Sequence, residues 1–148
     1  MDIEKDFSEI DNYAHMWHWL PDWTIVEDIY KTFPDSYSVL MPFAYTYLEE
    51  LIRSLTSDYI KPIQDKDGKS NKRVGMKLIN LAISENDNEE LINMLQEYKK
   101  YFGVIKETDR GDNRNSVNHG IMHPNTWTKE SFEKLIHDIA RISKYAKF

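Results

Sequence analysis

Apolar residues recur along most of this chain at intervals of three and four, the period of an α-helix with one face turned to a core. The longest run carries Leu40, Phe43, Tyr47, Leu48, Leu51, Ile52, Leu55 and Tyr59. It predicts a long helix opening at Asp35 or Ser36, with Pro42 early enough to belong to its first turns. Just upstream, Ile25, Ile29 and Phe33 stand at i, i+4 and i+8 and predict a short amphipathic helix over Thr24–Phe33, stopped by Pro34. Residues 1–24 read as irregular or weakly helical: Ile3, Phe7 and Ile10 have helical spacing, and Trp17, Trp19 and Trp23 then crowd into seven residues. Those tryptophans pack across the outside of a bundle or form part of a dimer face, and base rates for large aromatics favour packing.

Beyond the long helix, Lys61–Asn71 reads as a loop, with Pro62, Gly68 and a charge-rich tip. Val74, Leu78, Leu81 and Ala82 mark a helix ending near Asn86. Asp87-Asn88-Glu89-Glu90 has the spacing of a capping box and opens the next helix, with Leu91, Leu95, Tyr98 and Phe102 on one face and Gly103 as its stop. A tight turn makes these two an antiparallel pair. After a break at His123-Pro124, Thr128 caps a final helix whose face is Phe132, Leu135, Ile136, Ile139 and Ile142. No alternating strand pattern and no repeat interrupts the series. The expected fold is all-α: an up-and-down helical bundle of four principal helices plus short accessory ones.

Length and composition narrow this further. At 148 residues the chain makes one domain with room for a real core. It contains no cysteine, which excludes disulfides and thiolate metal sites. The first residues lack the basic head and apolar stretch of a secretion signal, and no apolar run reaches the roughly 18 residues of a membrane helix, so the expected location is cytoplasmic with no membrane partner. A formal charge of −6 counts against broad, non-specific nucleic-acid binding.

The chemistry concentrates in Asp112-Asn113-Arg114-Asn115-Ser116-Val117-Asn118-His119-Gly120, after the polar break Glu107–Gly111. An arginine, amides and a histidine are the groups needed to bind a phosphodiester and move protons on it near neutral pH. Asp112 or Asn113 can cap a helix there, and Gly120 allows close backbone approach after the histidine. Asn115 and His119 share a helical face, whereas Arg114 and His119 lie about 140° apart on a continuous helix, so Arg114 must sit at the helix start or its long side chain must wrap around. A bundle would bring this segment against Glu49 or Arg53, an i, i+4 pair on the long helix.

The run Asn113–Gly120 resembles the signature of HEPN-domain proteins, an Arg, four to six residues and a His, often with a polar residue directly after the Arg; here Asn115 fills that place. Tyr47-Leu48-Glu49-Glu50-Leu51-Ile52-Arg53 resembles the helix of related members that carries a Glu and an Arg four residues apart. The resemblance covers residues 36–148 as a HEPN-like bundle and leaves 1–35 as an N-terminal accessory segment. It implies a helical bundle acting as a homodimer and as a metal-independent endoribonuclease, with no cofactor, in a defence or toxin–antitoxin setting. The partners implied are RNA and an antitoxin or regulatory protein; DNA is not expected. His119 is implied as general acid and base, Arg114 as phosphate ligand, and Asn115 as orienting His119 or contacting the phosphate. Some HEPN toxins carry a modifiable Tyr two residues after the His; Ile121 stands there in this chain.

Three alternatives compete. A non-catalytic HEPN-like module would use the same groove to hold RNA, nucleotide or protein, and a purely structural dimerisation domain would use Trp17–Trp23 as its interface. The histidine pairs His15/His18 and His119/His123 have metal-like spacing but no evident further ligands, and His137 reads as solvated. Lys66, Lys69, Lys72 and Arg73 are the best placed for secondary phosphate contacts, although a charged loop is ordinarily just solvated.

Overall fold

A computed structural model describes all 148 residues, Met1–Phe148. Seven α-helices form: α1 (Ile3–Tyr13), α2 (Leu20–Thr32), α3 (Tyr37–Ser54), α4 (Gly75–Glu85), α5 (Glu89–Tyr98), α6 (Arg114–Asn118) and α7 (Lys129–Ser143). There is no strand, only one isolated antiparallel bridge between Gln64 and Ser70 in the charged loop. The all-α class expected from the periodicity is the class observed.

Contacts at both ends give the helix directions. Tyr37, opening α3, donates its hydroxyl to Trp127 O just before α7 (3.3 Å), and Lys147 N beyond α7 donates to Ser54 Oγ at the end of α3 (3.1 Å). α3 and α7 therefore run parallel. α1 runs the same way: Ile3 and Glu4 lie beside Lys129 and Glu133, and Glu9 lies beside Arg141 and Lys144. α2 opposes them, with Tyr30 near its end donating to Glu133 near the start of α7 (2.6 Å). α5 opposes them as well, with Glu90 bound by Lys144 (3.0 Å) and Tyr98 donating to Asp138 O (2.6 Å). Direction alternates through α1, α2 and α3 and again through α5 and α7. α4 breaks the order by lying across the last turns of α3. Arg53 donates to Arg73 O just before α4 (2.9 Å), and Asn86 just after it donates to Leu55 O (3.0 Å).

One continuous cluster of buried hydrophobics runs from Phe7 to Ile142. The α3 stripe and the α7 face are buried largely as the spacing predicts: Leu40, Tyr47, Leu48, Leu51 and Ile52 on one, Phe132, Leu135, Ile136, Ile139 and Ile142 on the other. Thr128 caps α7 by accepting from Ser131 N (3.1 Å). Asn88, not Asp87, caps α5, accepting from Leu91 N (3.0 Å). Gly103 ends the following turn in an extended conformation rather than a left-handed one.

Two expectations near the N-terminus are corrected. Residues 3–13 form a regular helix, capped by Asp2, whose Phe7 and Ile10 are fully buried against the bundle; the weak local signal is overridden by packing on α7. On α2 the apolar face is the other one. Ile25, Ile29 and Phe33 are 55%, 42% and 61% exposed, while Trp23, Val26 and Tyr30 are buried. Two apolar stripes compete on this helix, and the one carrying the larger aromatics wins because each buries more area than an isoleucine. Trp23 sits edge-on to Phe43 and Tyr47 with centroids 5.2 and 5.0 Å away, and Tyr30 packs on Phe132 at 5.1 Å. Of the three clustered tryptophans, Trp23 is core, Trp19 is half-buried against Phe43 and Tyr47, and Trp17 is exposed.

Candidate active site

α6 has only five residues, too few to hold its shape alone, so its position depends on caps and on what it touches. Asn113 is the N-cap. Its Oδ1 accepts from Asn115 N (2.9 Å) and Ser116 N (3.2 Å), and its Nδ2 donates to Gly103 O (3.1 Å), tying the helix start to the turn after α5. Ser116 and Val117 are buried beneath it. The polar break upstream is pinned to α3. Gly111 has φ +89° and lies so close to Met41 that a Cβ there would stand 2.6 Å from the Met41 sulfur. Tyr45 donates to Gly111 O (2.9 Å). Burial, reinforced by the nearby Asp112 and Asp109 charges, holds the Tyr45 hydroxyl well above the usual tyrosine range, so it remains a donor.

Arg114 is the first residue of α6, the first of the two placements that the 140° offset from His119 allowed, and its guanidinium turns back onto α3. Nη2 meets Glu49 Oε2 at 2.6 Å, and Nη1 donates to Asn115 Oδ1 at 3.0 Å. The other Glu49 oxygen accepts from Arg53 Nη2 at 3.2 Å, and Arg53 Nη1 is bound by Glu50. The side chains of Glu49, Arg53 and Arg114 are only 8%, 9% and 15% exposed. The Glu49–Arg53 pair is thus interior, not a surface ion pair, and Glu49 bridges two arginines. Two arginines and two glutamates sum to zero charge, so this network exerts little net pull on a phosphate. Its remaining N–H edges border a small open pocket of about 120 Å³ shared with Thr46 and Asn118.

No family model, curated protein or solved structure matches this chain.

The three expected site residues do not converge into one constellation within a single chain. Arg114 and Asn115 are hydrogen-bonded to each other, and Asn115 Nδ2 also reaches Gly103 O (3.3 Å). Asn115 therefore braces Arg114 and does not touch the His119 ring. His119 caps the other end of α6, its backbone N donating to Asn115 O (3.2 Å) and its imidazole standing exposed in solvent with no hydrogen-bond partner. Gly120 takes φ +64° to turn the chain there, with open space around it rather than a close approach. His123 lies beyond the end of α6, so it does not share a helical face with His119.

His15 and His18 stack with ring centroids 4.2 Å apart, and the His15 Nδ1 accepts from the backbone N of Trp17 and of His18, both at 3.2 Å. That lone pair serves the turn. No three His, Cys, Asp or Glu side chains gather as a metal-binding group. His137 is not merely solvated: its Nδ1 meets Asp6 at 3.0 Å and links α7 to α1. Sequence reasoning missed Glu50 and the Gly103 carbonyl as members of the site. Adjacency to Glu49 marks the first; nothing in the sequence marks the second.

Proposed function

We propose that this chain is a HEPN-type, metal-independent endoribonuclease whose site is completed by a second copy of itself. The observation that carries the proposal is the buried contact between Arg114 and Glu49. It joins the Arg-x4-His segment to the helix bearing Glu49 and Arg53, the two elements on which the family resemblance rests, and it leaves His119 free. Locking Arg114 at one end of α6 aims His119 outward from a fixed base. His119 is exposed and its ring makes no hydrogen bond, which leaves both ring nitrogens open to a substrate for proton transfer.

In the reaction one His119 takes the proton of an RNA 2′-OH as that oxygen attacks the adjacent phosphorus. The 5′-oxygen leaves and receives a proton from the second His119, giving a 2′,3′-cyclic phosphate and a 5′-OH. A two-fold pair supplies both the base and the acid, which one imidazole cannot be at once. Arg114, reached through its spare N–H edges, would steady the charge on the phosphoryl oxygens. A defence or toxin–antitoxin role, with a protein that restrains the activity, is the setting this chemistry fits. Cleavage should survive EDTA, leave cyclic-phosphate ends and stop when the substrate carries 2′-deoxyribose at the cut. Products with 3′-OH ends, or cleavage of the deoxy substrate, would overturn the assignment.

A second reading has its own observation. Arg114 is already neutralised by Glu49, as suits a binding module in which the network is structural. In that case RNA, nucleotide or protein is held without turnover, and His119→Ala leaves binding intact.

A further inference from the structure

The largest cavity borders the Asn113 cap at the start of α6 and is not lined by His119. It is an open pocket of about 440 Å³ between the turn after α5, the 103–113 segment and the first turns of α7. Its size falls in the range of small-molecule sites, but its lining is almost wholly polar. Three lysines from three separate elements face it: Lys100, Lys106 and Lys134, with the hydroxyls of Thr108 and Ser131 between them.

The charges there are not equally free. Lys100 is bound to Asp138 (2.9 Å) and lies over the Tyr101 ring (4.8 Å to the centroid). The two carboxylates on the wall are turned to the backbone. Asp109, buried, accepts from Lys106 N (2.7 Å), and Asp112 accepts from Arg110 N (3.0 Å). The ammonium groups of Lys106 and Lys134 have no carboxylate partner and are exposed. Lys106 and Lys134 are therefore cations with unfilled hydrogen-bonding capacity on the pocket wall, while each wall carboxylate already accepts a backbone N–H.

We infer that this pocket binds a phosphate-bearing ligand through Lys106 and Lys134, with Thr108 and Ser131 donating to the same oxygens. Lysines supply point charges suited to phosphate, whereas a planar carboxylate is better matched by the fork of an arginine. Lys100 covers the Tyr101 ring, so no aromatic face is open for a base to stack on; the ligand is recognised by its phosphates. They belong either to a small phosphorylated molecule or to an RNA strand passing the pocket. The pocket does not depend on cleavage at His119.

The test uses the whole chain and three probes in calorimetric titrations: inorganic pyrophosphate, ADP and an uncleavable 2′-O-methyl RNA hexamer. Binding of pyrophosphate or ADP, weakened about tenfold or more in Lys106→Ala/Lys134→Ala, identifies a small phosphorylated ligand. Binding of the hexamer alone, weakened to the same degree, identifies strand phosphates. Lys77→Ala/Lys147→Ala, on α4 and near the C-terminus and lining no pocket, should leave either affinity unchanged. Both double variants replace exposed side chains, and matched urea midpoints confirm that the fold is kept. Absence of binding by all three probes, or equal weakening by both double variants, would overturn the inference.

Discussion

Glu49 is the residue whose removal tests the architecture of the site most sharply. It has two arginines on its two oxygens, at 2.6 and 3.2 Å, in a setting where all three side chains are largely buried. Glu49→Ala strands Arg114, whose Nε is already buried without a partner and whose remaining partner is the Asn115 amide. Arg53 suffers less because Glu50 and Arg73 O still hold it. Removing one side of a buried pair costs about 3–5 kcal/mol, and the partial compensation at Arg53 places the expected loss near the lower end, at about 3 kcal/mol. Glu49→Gln keeps an acceptor for one arginine and should cost about 1–2 kcal/mol. The assay is urea unfolding followed by far-ultraviolet circular dichroism. With a slope of about 2 kcal/mol per M, the alanine variant should unfold roughly 1.5 M earlier than the parent. A cycle with Arg114→Ala should give a coupling of about 1–3 kcal/mol between the two positions. Additive effects, or a loss below about 1 kcal/mol for Glu49→Ala, would mean that the contact does not pin α6.

Three further outcomes follow from single side chains. Gly111→Ala forces a left-handed backbone on a residue with a Cβ and drives that carbon against Met41, so thermal and urea unfolding should show a loss of about 2–4 kcal/mol. Asn113→Ala removes the cap of α6 and its tie to Gly103, and should cost about 1–2 kcal/mol while lowering amide-exchange protection across residues 114–118 first. Burial, then the neighbouring Glu27 charge and a hydrogen bond to it, raise Asp11 from 3.8 to about 6. The folded state then binds this proton more tightly than the unfolded chain, so stability falls as pH rises between those two values. Asp11 is only partly buried, and solvent screening reduces the effect to about 1 kcal/mol. Asp11→Asn should recover that amount at pH 8 and little at pH 4; equal effects at both pH values would contradict the shift.

Periodicity carried much of the fold because the apolar spacing of α7 marks the face it buries, and the stripe on α3 lies within that helix's buried surface, although Met41, Tyr45, Glu49 and Arg53 are buried on further sides of it. The Thr128 cap was equally local and equally legible. On α2 the same rule chose the wrong face, since Trp23, Val26 and Tyr30 compete with Ile25, Ile29 and Phe33 and only the distant Phe43, Tyr47 and Phe132 decide between them. α1 reads weakly for a related reason: it is held by α7, through Phe7, Ile10 and the Asp6–His137 contact. At the site, the type and order of Asn113, Arg114 and His119 were visible, and the helix start was one of the two placements the spacing allowed for Arg114. A contact between this segment and Glu49 or Arg53 was expected as well, but that Asn115 would brace Arg114 rather than face His119 depends on how α6 docks on α3. No local pattern encodes that.

Proton transfer in the proposed reaction turns on His119, and its exposure makes the decisive experiment clean. The ring makes no hydrogen bond and is not buried, so His119→Ala should change the urea midpoint by no more than about 0.5 kcal/mol in equivalent stability. Arg114→Ala is a poorer probe because it also breaks the buried network. The measurement is the rate of RNA cleavage in EDTA by the parent and by His119→Ala at matched concentration. The parent should cleave, and the variant should be slower by about a hundredfold to ten-thousandfold while remaining as stable. Equal rates for the two proteins, or no cleavage by a fully folded parent across varied RNAs, would contradict the assignment of His119 as the proton-transfer group.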